Sequence, residues 1–359
     1  MENAQTAFSG TVDVPEKDQL DLGRLGAWMA DNVTGFSGPI TLRKFAGGQS
    51  NPTYRIDAAS GAYVLRRKPF GLLLPSAHAV DREYAVIAAL HPAGFPVARP
   101  YGLCLDDAVI GSAFYIMGMV DGRTLWDGAL PDAAGPAERT ATYHAIIDTL
   151  AALHKIDPAS VGLGNYGKPG NFFERQVGRW TKQYRAAETG VVPAMDNLIA
   201  YLPTSLPEQS GTRIVHGDFR IDNMIFDARE PRVIAVLDWE LSTLGDPMAD
   251  LAYLLMNWVT EPEGRSGVMG LDFDRLGIPT MDAMATRYCK ATGRNSVPDM
   301  NWYFAFNLFR LAGIVQGIKK RVIDGTASSA HAAAMAEKVE PLANAAWGFA
   351  QKAQERTGA

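Results

Sequence analysis

Apolar positions change their period along the 359-residue chain. "QLDLGRLGAWMADNV" spaces them for a helix. "ITLRKFAGGQSNPTYRIDAASGAYVLRRK" alternates instead, and its turn-rich joins "GGQSNP" and "AASG" divide it into three predicted strands, about 40–46, 53–57 and 62–67. "AVDREYAVIAAL" (79–90) returns to helical spacing with an acidic first turn. "ARPYGLCLDDAVIGSAFYIMGMVDG" reads as two more strands around a turn. The order strand–strand–strand–helix–strand–strand predicts a small α+β lobe that ends near residue 120.

Beyond that point the helical period dominates. "AERTATYHAIIDTLAALHKI" (137–156), "NFFERQVGRWTKQYRAA" (171–187) and "AMDNLIAYL" predict helices, as do "MADLAYLLMNWV", "MDAMATRYCKAT", "MNWYFAFNLFRLAGIVQGIKKRV" and "SAHAAAMAEKVEPLANAAWGFAQKAQE" from about 247 onward. Two strands interrupt them, "NMIFD" (223–227) and "RVIAVLD" (232–238), joined by the turn "AREP". The expected organisation is an N-terminal extension with a helix over 1–35, a sheet-rich lobe over 36–120 and a larger, mostly helical lobe over 121–359. A chain this long exceeds the size at which one core usually divides, and a crevice between two lobes is a common ligand site. Residues 1–20 are polar and read as loosely ordered.

Composition narrows the class of partner. Hydrophobic residues make up 47% and charged residues 20%, ordinary for a globular chain. The net charge of −5 gives no electrostatic reason to expect nucleic acid or a membrane surface. Cys104 and Cys289 lie far apart, so no disulfide framework is expected, and a reducing, cytoplasmic setting fits. "MENAQTAFSG" has neither a basic nor an apolar leader region, and no apolar run is long enough to span a bilayer.

The densest polar stretch is "HGDFRIDN", His216 to Asn223. The hairpin after it places Asn223 across from Leu237 or its neighbour, so Asp238 returns beside Asn223. Asp218 lies in the loop leading in. Three oxygen-bearing side chains thus converge at one hairpin end. Hard cations such as Mg²⁺ prefer such ligands, and a nearby carboxylate can take a proton from an attacking hydroxyl. The competing reading is a solvated turn, and Asp222 is read as one. His216 is read as a hydrogen-bonding residue that shapes the loop, and Arg220 as either a solvated or a substrate-facing cation. "GLGNYG" spells a dinucleotide-binding pattern but follows a helix and runs into Pro169, so it lacks the required context. With no HExxH and no Cys/His cluster, zinc chemistry has no support.

"HGDFRIDN" followed by "VLDWE" resembles the aminoglycoside phosphotransferase family of the kinase-like superfamily. "LRRKPFGLLLPSAHAVDREY" and "YGKPGNFFERQ" look most like the subfamily related to kinase-like domains fused to acyl-CoA dehydrogenases. The resemblance implies an α+β, two-lobed protein-kinase-like fold and a kinase that uses ATP and Mg²⁺ on a hydroxylated small molecule. It implies that Asp218 is the base, that Asn223 and Asp238 hold Mg²⁺, and that Asp250 in "GDPMADLAYLL" braces the catalytic loop. The turn "FAGGQSNPTYRI" would cover the phosphates through Gly47, Gly48, Ser50 and Asn51. Arg66 stands where the family usually carries lysine for the α/β-phosphates, with Glu83 as its ion-pair partner. "FYIMGMVDG" leads into the hinge, so Met117, Met119 and Val120 would surround the adenine.

The acceptor is expected on the helical lobe, with Trp180, Arg220 and Arg310 as candidates and Lys319 and Lys320 beside them. Core aromatics and a solvated basic helix face are the structural alternatives. The subfamily points to a hydroxyacyl-CoA or another hydroxylated metabolite. No acidic cluster suited to a polycationic antibiotic is evident in the C-terminal helices. Arg66 also motivates a second reading, a nucleotide-binding pseudokinase or adaptor. A protein kinase is disfavoured, because "DWELSTLGDPMADLA" passes quickly from the metal aspartate into a helix.

Overall fold

Alternating side chains build the first layer. The computed structural model describes residues 10–46, 51–70, 78–262, 266–326 and 332–357. In it β1 (Thr11–Val12) is followed by α1 (Leu22–Asn32), then β2 (Ile40–Phe45), β3 (Thr53–Ala58) and β4 (Gly61–Arg67). After α2 (Val80–Leu90) come β5 (Pro100–Cys104) and β6 (Phe114–Gly118). The six strands form one antiparallel sheet in the order β1-β2-β3-β4-β6-β5. Tyr54, Ile56, Tyr63, Leu65, Phe114 and Ile116 bury one face against Leu25, Met29 and Val33 of the α1 region. The period of two therefore sends Val64 and Arg66 to the opposite face, toward α2 and the rest of the chain.

Residues 10–20 are tied down, contrary to the sequence expectation. Thr11 and Val12 pair with Phe45 and Lys44. Asp18 accepts from Lys44 Nζ at 2.6 Å and lies 3.4 Å from Arg67 Nη2. Arg67 is fully buried, with its guanidinium 3.6 Å from the centre of the Phe70 ring. A buried cation needs partners, and the polar N-terminal segment supplies one.

The second part begins with β7 (Arg123–Thr124), α3 (Pro136–Lys155), α4 (Phe172–Ala187) and α5 (Pro193–Tyr201). Then follow β8 (Arg213–Val215), β9 (Met224–Phe226), β10 (Val233–Val236), β11 (Thr243–Gly245) and α6 (Met248–Leu255). The chain closes with α7 (Phe273–Leu276), α8 (Met281–Thr292), α9 (Asn301–Ile323), α10 (Ala332–Ala336) and α11 (Val339–Thr357). The apolar run of α6 was expected to continue as helix to Val259, but Met256–Val259 tightens into a 3₁₀ turn. Helix α9 is the central post. Its residues Trp302 to Arg310 are all buried, and each fully buried aromatic contributes about 1.5–3 kcal/mol. The same core reaches Val86, Leu90 and Tyr115 of the first lobe, so α2 and β6 join the two parts. No helix among the described residues is long and apolar enough to cross a membrane.

Candidate active site

Strand β8 delivers the chain into "HGDFRIDN". Phe219 and Ile221 are buried anchors, while Asp218, Arg220 and Asp222 alternate with them and stay partly accessible. The loop turns at Gly217, whose φ is +84°, and a Cβ there would lie 2.8 Å from Leu241 O. Only glycine meets both demands. Asp250, on α6, accepts from the backbone N–H groups of His216 and Gly217 at 2.6 and 2.8 Å. His216 is fully buried: its Nε2–H donates to Leu237 O at 2.8 Å, and its Nδ1 accepts from Asp218 N–H at 3.1 Å. Both nitrogens of the imidazole are thereby engaged in holding the loop.

The hairpin closes as its spacing predicts. Val236 pairs with Met224, and Leu237 N–H donates to Asn223 O at 2.8 Å. Asp238 follows at once, in a left-handed conformation (φ 62°, ψ 63°) that is costly for a residue with a side chain. Asn223 Nδ2 donates to the Asp218 carboxylate at 2.8 Å and to Asp218 O at 2.9 Å. Tyr253, one helical turn beyond Asp250, donates to the other Asp218 oxygen at 2.6 Å. Burial works to raise the Asp218 carboxyl. The Arg220 guanidinium, the Tyr253 hydrogen bond and Arg310 outweigh it and hold Asp218 below the usual aspartate range.

A second charged group meets this loop from the first lobe. Arg66 Nε lies 2.7 Å from Glu83 Oε2, and Arg66 Nη2 donates to Asp238 Oδ1 at 2.7 Å, with Glu240 at 3.8 Å. Burial disfavours the Arg66 charge, but the Asp238 and Glu83 carboxylates overcome it and raise the guanidinium above its ordinary range. Glu83 is pushed upward by burial against the pull of Arg66; the cation is the firmer member of the pair. Asn51 donates to Glu83 Oε1 at 2.5 Å and Tyr115 to Oε2 at 3.2 Å. Asn51 was expected to face phosphate. In the structure it is fully buried, with its other amide atom 2.9 Å from His78 Nδ1, because a buried carboxylate such as Glu83 requires donors.

The remaining predicted positions scatter. Gly47, Gly48 and Ser50 lie outside the described residues. Met117 sits half-buried opposite Val64, and Met119 N–H donates to Ala62 O at 3.4 Å, with Val120 next along the strand exit. Arg220 is clamped to Asp222. Asp222 is therefore no solvated turn residue: its carboxylate is 7% exposed and neutralises a cation that would otherwise crowd Asp218 unopposed. Trp180 and Arg310 do come together. Arg310 donates to Gly217 O, and its guanidinium lies 5.6 Å from the Trp180 ring centre and 5.1 Å from that of Tyr253. Lys320 pairs with Asp324, which caps the end of its helix. Sequence reasoning missed Tyr253 and Tyr115. The three-residue step from Asp250 to Tyr253 on a predicted helix was the available signal for Tyr253; nothing local marked Tyr115.

The chain has relatives among known proteins. The model of the "Phosphotransferase enzyme family" matches residues 41–285. The chain belongs to that family. As a phosphotransferase it is 46% identical over 318 residues to acyl-CoA dehydrogenase family member 10 of Mus musculus, covering 88% of this chain and 30% of the mouse protein. Its identity to member 11 of Homo sapiens is 40%, over 96% of this chain and 45% of the human protein. The enzyme thus spans less than half the length of these curated relatives. A solved structure from Ralstonia eutropha JMP134, named for the aminoglycoside phosphotransferases, is 49% identical with a TM-score of 0.85, covering 93% of this chain and 99% of that one. A spectinomycin phosphotransferase solved with ADP and spectinomycin shares the fold at a TM-score of 0.61 and 11% identity. The chain is therefore a two-lobed, kinase-like member of the phosphotransferase family.

The donor set also suits a hard cation. Asn223 commits its Nδ2 to Asp218, and no hydrogen bond among the described residues engages its Oδ1. Asp238 is 34% exposed and gives one oxygen to Arg66. Carboxylate and amide oxygens of this kind match Mg²⁺.

Proposed function

We propose that the enzyme transfers the γ-phosphoryl group of ATP to a hydroxyl of a small metabolite, with a hydroxyacyl-CoA as the favoured acceptor. The observation that carries this reading is the meeting of Arg66 and Asp238 from the two lobes beside an Asp218 held in its charged form. In this reading the acceptor hydroxyl lies against Asp218, whose carboxylate takes its proton. The hydroxyl oxygen then forms the new bond to the γ-phosphorus as the bond to the ADP oxygen breaks. Arg66 holds the α/β-phosphates bidentately, and Glu83 positions it. Mg²⁺ on Asn223 and Asp238 would offset the phosphate charge. Met117, Met119 and Val120 would line the adenine side. His216 and Asp250 keep the loop in place.

Two features favour the acceptor class. Beside Asp218 the charge of Arg220 is neutralised by Asp222, but Arg310 has no ion pair among the described residues, which suits an anionic metabolite better than a polycationic antibiotic. The relatives named acyl-CoA dehydrogenase family members also supply a context in which acyl-CoA chemistry fits. Arg66 makes the ion pair with Glu83, so an arginine at this position does not favour a non-catalytic adaptor.

The test is a screen of hydroxyacyl-CoAs and hydroxylated metabolites for ATP-dependent mass gain, with ADP binding followed by calorimetry. At least one acceptor is expected to gain a phosphate with wild type, and Asp218→Asn to lose transfer by about 10²–10⁴-fold while still binding ADP. Full activity in Asp218→Asn would refute the base. Nucleotide binding with no transfer to any acceptor would favour the adaptor.

A further inference from the structure

One feature of α4 is not used by the chemistry at Asp218. Arg175, Arg179 and Lys182 recur at i, i+4 and i+7 and so share a face of the helix. That face opens into a groove of about 870 Å³ whose lining includes these three cations and a single carboxylate, Glu174. The volume lies within the range of small-molecule sites, about 300–1,000 Å³. A second cavity, near Trp126, holds about 60 Å³.

The groove carries charge that the protein does not neutralise. Arg175 is occupied, donating to Gly170 O and to Lys168 O at 2.6 Å, which folds the preceding loop onto the helix. Among the described residues no ion pair or hydrogen bond engages Arg179 or Lys182. The Arg179 guanidinium is held below the ordinary arginine range, first because the protein strips part of its water and second because Arg310 is near, although the residue as a whole stays exposed. Two unneutralised cations brought together are unfavourable, which an anion between or beside them would relieve.

Gly178 lines the same groove. It sits in the interior of α4, where glycine costs about 1 kcal/mol relative to alanine. A Cβ built there meets nothing within 4 Å, so no neighbouring protein atom requires the glycine. Its missing side chain instead forms part of the groove wall between Arg175 and Lys182.

The groove also adjoins the reacting site. The guanidiniums of Arg179 and Arg310 each lie 5.6 Å from the centre of the Trp180 ring, and Arg310 donates to Gly217 in the loop that carries Asp218.

We propose that this groove is the acceptor's anion subsite, in which Arg179 and Lys182 bind a phosphate- or diphosphate-bearing handle while the acceptor's hydroxyl end reaches Asp218. The inference rests on the phosphotransferase reading above and adds the region of the acceptor that the enzyme grips.

The test uses inorganic pyrophosphate as probe, titrated by calorimetry into the full chain with the nucleotide site already saturated with ADP and Mg²⁺. Wild type is expected to bind pyrophosphate, with an affinity that falls as salt is added. Arg179→Gln and Lys182→Met should each weaken it by about tenfold or more, the loss of one charge-assisted contact. Gly178→Trp, which fills the groove where a Cβ has room, should do the same with ADP affinity and thermal midpoint unchanged. In the transfer assay these variants should raise KM for a phosphate-bearing acceptor and leave kcat within about twofold. The subsite is overturned if pyrophosphate fails to bind the ADP-loaded wild type, or if all three variants bind it as wild type does. Transfer that persists without pyrophosphate binding refutes the groove alone. Pyrophosphate binding without transfer to any acceptor refutes the phosphotransfer reading alone.

Discussion

Replacing Asp250 by asparagine tests how the loop of Asp218 is held. Asp250 is 1% exposed and receives two backbone N–H groups, His216 at 2.6 Å and Gly217 at 2.8 Å. An amide of the same shape has one oxygen and one NH₂. One backbone donor would keep a neutral acceptor, and the other would face a second donor. The loss is one charge-assisted bond, about 1.5–3 kcal/mol, plus a buried unsatisfied N–H, about 1–3 kcal/mol. Together these amount to roughly 3–5 kcal/mol, allowing for partial relaxation, against a typical total stability of about 5–15 kcal/mol. Equilibrium urea unfolding followed by tryptophan fluorescence reads the change, since Trp239 packs 4.6 Å from the His216 ring. Amide exchange at His216 and Gly217 should accelerate in parallel. A change in unfolding free energy below about 1 kcal/mol, with both amides still protected, would show that Asp250 does not brace the loop.

Three further outcomes follow from the same geometry. Asp218 sits below its unfolded value, so its stabilising contribution is complete above the ordinary aspartate range and is lost as pH falls through the lower, folded value. Tyr253→Phe removes a donor to that carboxylate, so the acidic limb of the pH–rate profile should move to higher pH; an unmoved limb would remove Tyr253 from the set of groups that hold the charge. Arg66→Met strands Glu83 and Asp238 without their cation and should cost about 3–5 kcal/mol, whereas Arg66→Lys should keep more of the fold but lose ADP affinity, because one ammonium cannot reproduce the fork; equal ADP affinity in the lysine variant would contradict a bidentate role. Gly217→Ala forces a side chain into positive φ and against Leu241 O, so it should destabilise by about 1–3 kcal/mol and impair turnover, as read by thermal unfolding and the transfer assay.

Local patterns carried much of the outline. Alternation marked β2, β3 and β4, helical spacing marked α2, α3 and α9, and the "AREP" turn set the register that returns Asp238 to Asn223. These are readings of period and short-range turn geometry, which neighbouring residues determine by themselves. The sequence by itself also named Asp218, Asn223, Asp238, Arg66, Glu83 and Asp250 as one set, because their spacing matched a known pattern. What it did not contain was the partner of each group. Arg66 meets Asp238 across 172 positions, Asn51 turns inward to Glu83 rather than outward, and Asp222 spends its charge on Arg220. Strand β11 is three residues long, too short to show a period. Tyr253 reaches Asp218 only because α6 packs under the loop, and Arg179 and Arg310 meet the Trp180 ring only because α4 and α9 pack together. Such contacts depend on which faces meet when distant segments pack, and that is decided by the whole core rather than by any stretch of it.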